Sequence, residues 1–138
     1  MPRLTLTELE AVLDEHSPRW RKHARILGLG VQDIHVTMPL GAELVRAGGT
    51  FSGPALMALA DRAAYYLTLA LVGPVPDAVT SNLAIHFLVR PQPGDITATA
   101  TVLRIGSRLV VSSVEMHAAE QLVAHATVTY ALPQAYTS

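Results

Sequence analysis

Residues 52–72 read Ser-Gly-Pro-Ala-Leu-Met-Ala-Leu-Ala-Asp-Arg-Ala-Ala-Tyr-Tyr-Leu-Thr-Leu-Ala-Leu-Val, a helix-forming run with apolar side chains all round. Leu56, Met57, Leu59, Ala60, Ala63, Ala64, Leu67, Leu69 and Leu71 cover every face of such a helix, so the rest of the chain must wrap it. One side chain breaks the pattern. Asp61 is the only acid between Glu43 and Asp77. A carboxylate among Leu, Ala and Met is unfavourable to desolvate and is often kept for chemistry. Pairing with the adjacent Arg62 at the helix surface is the other reading, and spacing alone does not separate the two.

The flanking sequence supplies candidates for the wrapping. Thr7-Glu8-Leu9-Glu10 offers a hydroxyl cap with a carboxylate three residues later, and Leu9, Val12 and Leu13 follow at helical spacing. Pro18 opens a second helical piece running through Trp20 and Ile26 to Leu27, ended by Gly28 and Gly30. These helices form an accessory lid or interface element. Residues 31–38 alternate as a strand, 39–41 turn, 42–46 form a second short strand, and Ala47-Gly48-Gly49 precedes the main helix.

Beyond Gly73-Pro74-Val75-Pro76, β-type segments cover 78–89, 95–105, 108–118 and 122–132. Pro91, Pro93 and Gly94 mark the first junction, Gly106-Ser107 the second and Ala119-Glu120-Gln121 the third. Helices, strands, one buried helix and then an antiparallel meander predict an α+β fold with a sheet curled around a central helix. The expected organisation is one domain over 1–138, with a helical segment at 1–28 and a core at 31–133.

With 138 residues, 50% hydrophobic, 15% charged and a mean hydropathy of +0.33, the chain carries more apolar surface than a monomer readily hides, so a subunit interface is expected. The net charge of −1 and the lack of a dense Lys/Arg run argue against nucleic-acid binding. Without cysteine there is no disulfide, thiol nucleophile or thiolate metal site. No run is read as a membrane span or a signal peptide, so a cytoplasmic, soluble protein is expected. His16, His23, His35, His86, His117 and His125 are scattered with no metal-ligand spacing, and no metal is expected. His86, in a strand pattern, reads as a core or interface residue. Gly49-Thr50-Phe51-Ser52-Gly53 has its serine one place off for a nucleophile elbow, and Gly28-Leu29-Gly30 lacks the third glycine of a dinucleotide site.

Four segments in order carry a family resemblance over residues 31–133. They are the Gly-Thr-x-x-Gly turn at Gly49 to Gly53, the Ala-Leu-Ala-Asp segment ending at Asp61, the strand from Thr80 through His86 and Phe87 to Arg90-Pro91, and the Gly106-Ser107-Arg108-Leu109 hairpin. The chain resembles the hot-dog fold thioesterases of the phenylacetic-acid-degradation type, which hydrolyse acyl-CoA. That resemblance implies Asp61 as the catalytic carboxylate, either general base or nucleophile, and the Gly53 N–H as donor to the thioester oxygen. It implies a hydroxyl role for Thr80 in placing the attacking water, no cofactor beyond the substrate's coenzyme A, and an active site built across a homodimer, usually within a dimer of dimers. Physics agrees about Gly53, because the first N–H groups of a helix lack internal partners and face the positive end of its dipole. Asp61 lies eight residues further on, roughly 12 Å along the axis, so Gly53 of one subunit is expected to face Asp61 of the other.

Two departures stand out. The family commonly has His-Gly-Gly at the turn where this chain has Ser52-Gly53-Pro54, and often a polar amide where it has Arg46. Ser52 either donates in place of the imidazole or caps the helix. Arg90, Arg104 and Arg108 are candidates for the phosphates of coenzyme A, against the plainer reading of solvated strand ends. Met57, Tyr65 and Tyr66 suit an acyl pocket wall or ordinary packing and are assigned no role. An acyl-CoA thioesterase is the leading expectation. A catalytically weak acyl-CoA-binding protein is the alternative, and a hot-dog dehydratase or hydratase is disfavoured because the helix has no histidine.

Overall fold

The structure, a computed structural model, describes residues 2–39, 53–91 and 94–133. In chain order the elements are α1 (Leu6–His16), α2 (Pro18–His23), β1 (Arg25–Leu29), β2 (Asp33–Met38), α3 (Gly53–Val72), β3 (Val79–Phe87), β4 (Ile96–Ile105), β5 (Leu109–Ala118) and β6 (Gln121–Ala131). The strands form one sheet in the order β1-β2-β4-β5-β6-β3, every neighbouring pair antiparallel.

Alternation along each strand explains how this sheet holds α3. Ile34, Val36 and Met38 on β2, Ile96, Ala98 and Ala100 on β4, Val110, Val114 and Met116 on β5, and Ala124, Ala126, Val128 and Tyr130 on β6 are all buried. They line the face that α3 packs against, and the alanines let the helix lie close to the sheet. From Ala63 to Val72 every residue of α3 is buried. Among the described residues α3 is the one helix long and apolar enough to cross a membrane, a property the sequence reading did not assign to it; 78% of its most apolar window is buried inside the fold. The opposite face of the sheet is polar: ladder pairing sets His35, Thr99, Glu115, His125 and His86 in one row across five strands. This is the hot-dog arrangement expected from the sequence.

The N-terminal reading needs correction. α2 stops at His23, and Arg25, Ile26 and Leu27, expected to carry the helix to its end, instead open β1, which pairs with β2. Ile26 lies on β1 next to a register shift before Gly28, where pairing with Val36 supplies the backbone partners that a helix would have given. The first cap is also earlier. Thr5 Oγ1 accepts from the Glu8 N–H at 3.2 Å and Glu8 Oε1 accepts from the Thr5 N–H at 2.9 Å, so the box uses Thr5 and Glu8 rather than Thr7 and Glu10. His86 is exposed rather than in the core, because β3 is the sheet's edge. The expected strand at 42–46, Arg46, the turn at Gly49 and Ser52 all lie outside the described residues.

Candidate active site

Pairing of β3 with β6 sets Thr80 directly opposite Tyr130, and both hydroxyls reach the middle of α3. Thr80 Oγ1 donates to Asp61 Oδ1 at 2.6 Å, and the Tyr130 hydroxyl donates to the same oxygen at 2.7 Å. The Tyr130 hydroxyl also lies 3.2 Å from the Asp61 carbonyl oxygen. On the other side Arg62 Nη2 stands 3.3 Å from Asp61 Oδ2. Asp61 therefore touches Arg62, as one of the two readings has it, and also accepts from two hydroxyls while its side chain remains 25% exposed.

Arg62 is itself held. Its guanidinium carbon lies 5.2 Å from the Trp20 ring centroid and 4.9 Å from that of Tyr65, so α2 and α3 sandwich the cation. Tyr66 ties the same region down, its hydroxyl donating to the carbonyl oxygens of Ala24 at 3.1 Å and Trp20 at 3.3 Å. Tyr65 donates to the Pro76 carbonyl at 2.9 Å and its ring tilts against that of Tyr130 at 5.5 Å. The N-terminal helices thus brace the residue next to the carboxylate. Burial raises all three tyrosine hydroxyls above the usual phenol range, Tyr66 to about 12. For Tyr130 the negative charge of Asp61 adds to burial, so it stays a protonated donor at any working pH.

Gly53 lies elsewhere. It opens α3 and lines a cleft of about 370 Å³ with Leu56, Phe87, Leu88, Val89, Arg90 and Pro91. A Cβ at Gly53 would stand 3.4 Å from Phe87 Cζ, so glycine keeps this wall open. Arg90 reaches the cleft; Asp61, Thr80, Arg104 and Arg108 do not line it. Arg104 and Arg108 are exposed at the β4–β5 hairpin. Among the described residues no group of three or more His, Asp or Glu side chains is placed to hold a metal ion.

The sequence reading named Asp61 and Thr80 separately, the structure sets them in contact, and neither Tyr130 nor Trp20 had been given a role. Tyr130 had a signal: it is the one hydroxyl in the inward series Ala124, Ala126, Val128, Tyr130, and a buried phenol needs a partner. Trp20 had none, since its contact depends on how α2 folds back onto α3.

A sheet curled about one buried helix, with a hydroxyl-held carboxylate at mid-helix, defines a hot-dog enzyme. The sequence profile of the thioesterase superfamily matches residues 48–129, and the chain belongs to that superfamily. Among solved structures it is similar to a protein of Silicibacter sp. described as a candidate thioesterase, with 32% identity and a TM-score of 0.87 over 96% of this chain and 94% of that one. A thioesterase of Haemophilus influenzae shares the fold at 20% identity and TM-score 0.81, covering 94% and 91%. So does a phenylacetic acid degradation protein of Thermus thermophilus, at 24% identity and TM-score 0.74, covering 85% and 100%. No curated protein matches the chain. The protein is a thioesterase.

Proposed function

We propose that the protein hydrolyses the thioester of an acyl- or aryl-acyl-CoA in a site shared by two copies of the chain. Asp61 acts as general base on water or as nucleophile on the carbonyl carbon, and the N–H of the partner subunit's Gly53 stabilises the oxyanion. In the general-base route a hydroxide equivalent adds to the carbonyl, the C–S bond breaks, and the proton held by Asp61 passes to the departing thiolate. Free acid and coenzyme A leave. Thr80 donates its hydrogen bond to Asp61, and the lone pairs of its hydroxyl can accept one from the water.

The observation that carries the proposal is the separation of the parts. The carboxylate and the glycine cleft lie on one helix roughly 12 Å apart, too far to meet one carbonyl within a chain. β3 offers the means of joining two chains: it is an edge strand, exposed along most of its length, with Val79 60% and Phe87 53% exposed. Bare apolar edges invite a second copy. Arg90, at the mouth of the cleft, would meet phosphate. Release of free thiol from an acyl-CoA panel tests this. Asp61→Asn keeps the size and an acceptor for both hydroxyls but removes the base, so turnover falls by about 100-fold or more. Undiminished turnover refutes the mechanism, and tight binding without turnover in the wild type shows a binding protein instead.

A further inference from the structure

We infer that Tyr130 is a positioning residue that, with Thr80, fills both acceptor sites of Asp61 Oδ1 and thereby reserves Oδ2 as the reacting oxygen. The inference rests on Asp61 being the catalytic carboxylate.

A carboxylate oxygen has two lone-pair directions. Oδ1 receives one hydroxyl at 2.6 Å and another at 2.7 Å, which occupies both. Among the described residues Oδ2 has one hydrogen-bond partner, Arg62 Nη2, at 3.3 Å, and so keeps a lone pair for a proton or a carbonyl carbon. The two hydroxyls differ in setting. Thr80 is on the exposed edge strand, whereas Tyr130 is 1% exposed, its ring tilted against Tyr65 and its backbone fixed in β6 between β5 and β3. Tyr130 is therefore the rigid half of the clamp. It fixes the carboxylate plane before substrate arrives, and reorientation of that plane would misdirect attack.

Two donors on one oxygen also favour the ionised carboxylate over the acid, because hydrogen bonds to a charged acceptor are stronger than those to a neutral one. Removing one donor makes protonation easier and so shortens the pH range in which the enzyme works. A Tyr130 that served merely to satisfy its own hydroxyl would leave that range unchanged. Among the described residues the groups facing Asp61 are Arg62 on its own helix, Thr80 on β3 and Tyr130 on β6, and burial together with the Asp61 charge keeps the Tyr130 hydroxyl protonated.

The test compares Tyr130→Phe, Thr80→Val, Thr80→Ser and Asp61→Asn for kcat and KM across pH, with the folded state checked by circular dichroism. Tyr130→Phe is expected to lower kcat roughly 10- to 100-fold with KM changed less than about twofold, and to move the acid limb of the pH profile upward. Thr80→Val moves the limb the same way, and Thr80→Ser, which keeps the hydroxyl, restores it. If Asp61→Asn is inactive while Tyr130→Phe keeps both kcat and the acid limb of the wild type, the positioning role is overturned and the carboxylate reading stands. If Asp61→Asn is active, the carboxylate reading itself falls. Should Tyr130→Phe not fold, 3-fluorotyrosine placed at 130 alone keeps the ring and strengthens the donor. The acid limb then moves downward, and an unmoved limb overturns the inference.

Discussion

A site shared between subunits can be tested by mixing two dead proteins. Asp61→Asn removes the carboxylate and leaves the glycine cleft intact. Gly53→Val does the reverse: the glycine Cβ position is already 3.4 Å from Phe87 Cζ, and two further methyl groups there close the wall that the thioester oxygen is proposed to approach. On the shared-site proposal each variant by itself is expected to be inactive. When the two variants are unfolded, mixed in equal amounts and refolded together, half of the dimers are mixed. In a mixed dimer one site pairs an intact Gly53 with an intact Asp61, and the other pairs the two lesions. Refolded mixtures should therefore recover about a quarter of the wild-type rate of thiol release, one good site in two for half of the dimers. If both residues served one substrate within a chain, every site in the mixed dimer would carry one lesion and recovery would be nil. The roughly 12 Å rise between residues 53 and 61 of one helix is what selects the first outcome. A refolded wild-type control gives the scale, and absence of recovery against that control refutes the shared site.

Three further outcomes follow from the geometry. Arg90→Ala should raise KM for acyl-CoA by roughly 3- to 10-fold with kcat little changed, while Arg104→Ala, away from the cleft, changes KM less; initial-rate kinetics decide. Trp20→Ala takes one aromatic face from Arg62, worth about 1 kcal/mol, so kcat should drop several-fold although Trp20 does not touch Asp61. Tyr66, fully buried, has its hydroxyl raised from 10.0 to about 12, chiefly by burial. Its folded value exceeds its unfolded one, so its contribution is intact below pH 10 and is lost as pH climbs toward 12. Stability should fall by about 1.4 kcal/mol per pH unit on its account in that window. Tyr66→Phe should flatten the fall seen in urea denaturation between about pH 9.5 and 11.5, with Tyr65 and Tyr130 keeping a remainder of the same sign.

Much of the fold was legible because its signals are local. The all-apolar run ending at Val72, the alternation in the four following segments and the Pro/Gly punctuation each report short-range physics, and α3 and β3 to β6 fall within about two residues of their expected ends. The N-terminal region misled for the same reason. Ile26 and Leu27 continue a helical spacing, but the open edge of β2 was available, and that competition is decided by tertiary structure. Asp61 was visible as one acid in an apolar helix. Thr80 came through the family likeness. Its contact with the acid, like that of Tyr130, depends on β3 pairing with β6 across more than thirty intervening residues, a register no local pattern encodes. Arg62 was named only as a partner for Asp61; its aromatic sandwich needed α2 folded in place.

The strand order gives synthesis a schedule. β3 emerges from the ribosome soon after α3, yet its neighbour in the sheet is β6, the last of the six strands to be made. Until then the newborn helix lacks part of its sheltering wall, and Thr80 and Tyr130 have no ladder to hold them side by side. A translation stall before β6 would leave a greasy intermediate in need of a chaperone, with the two hydroxyls not yet assembled on Asp61.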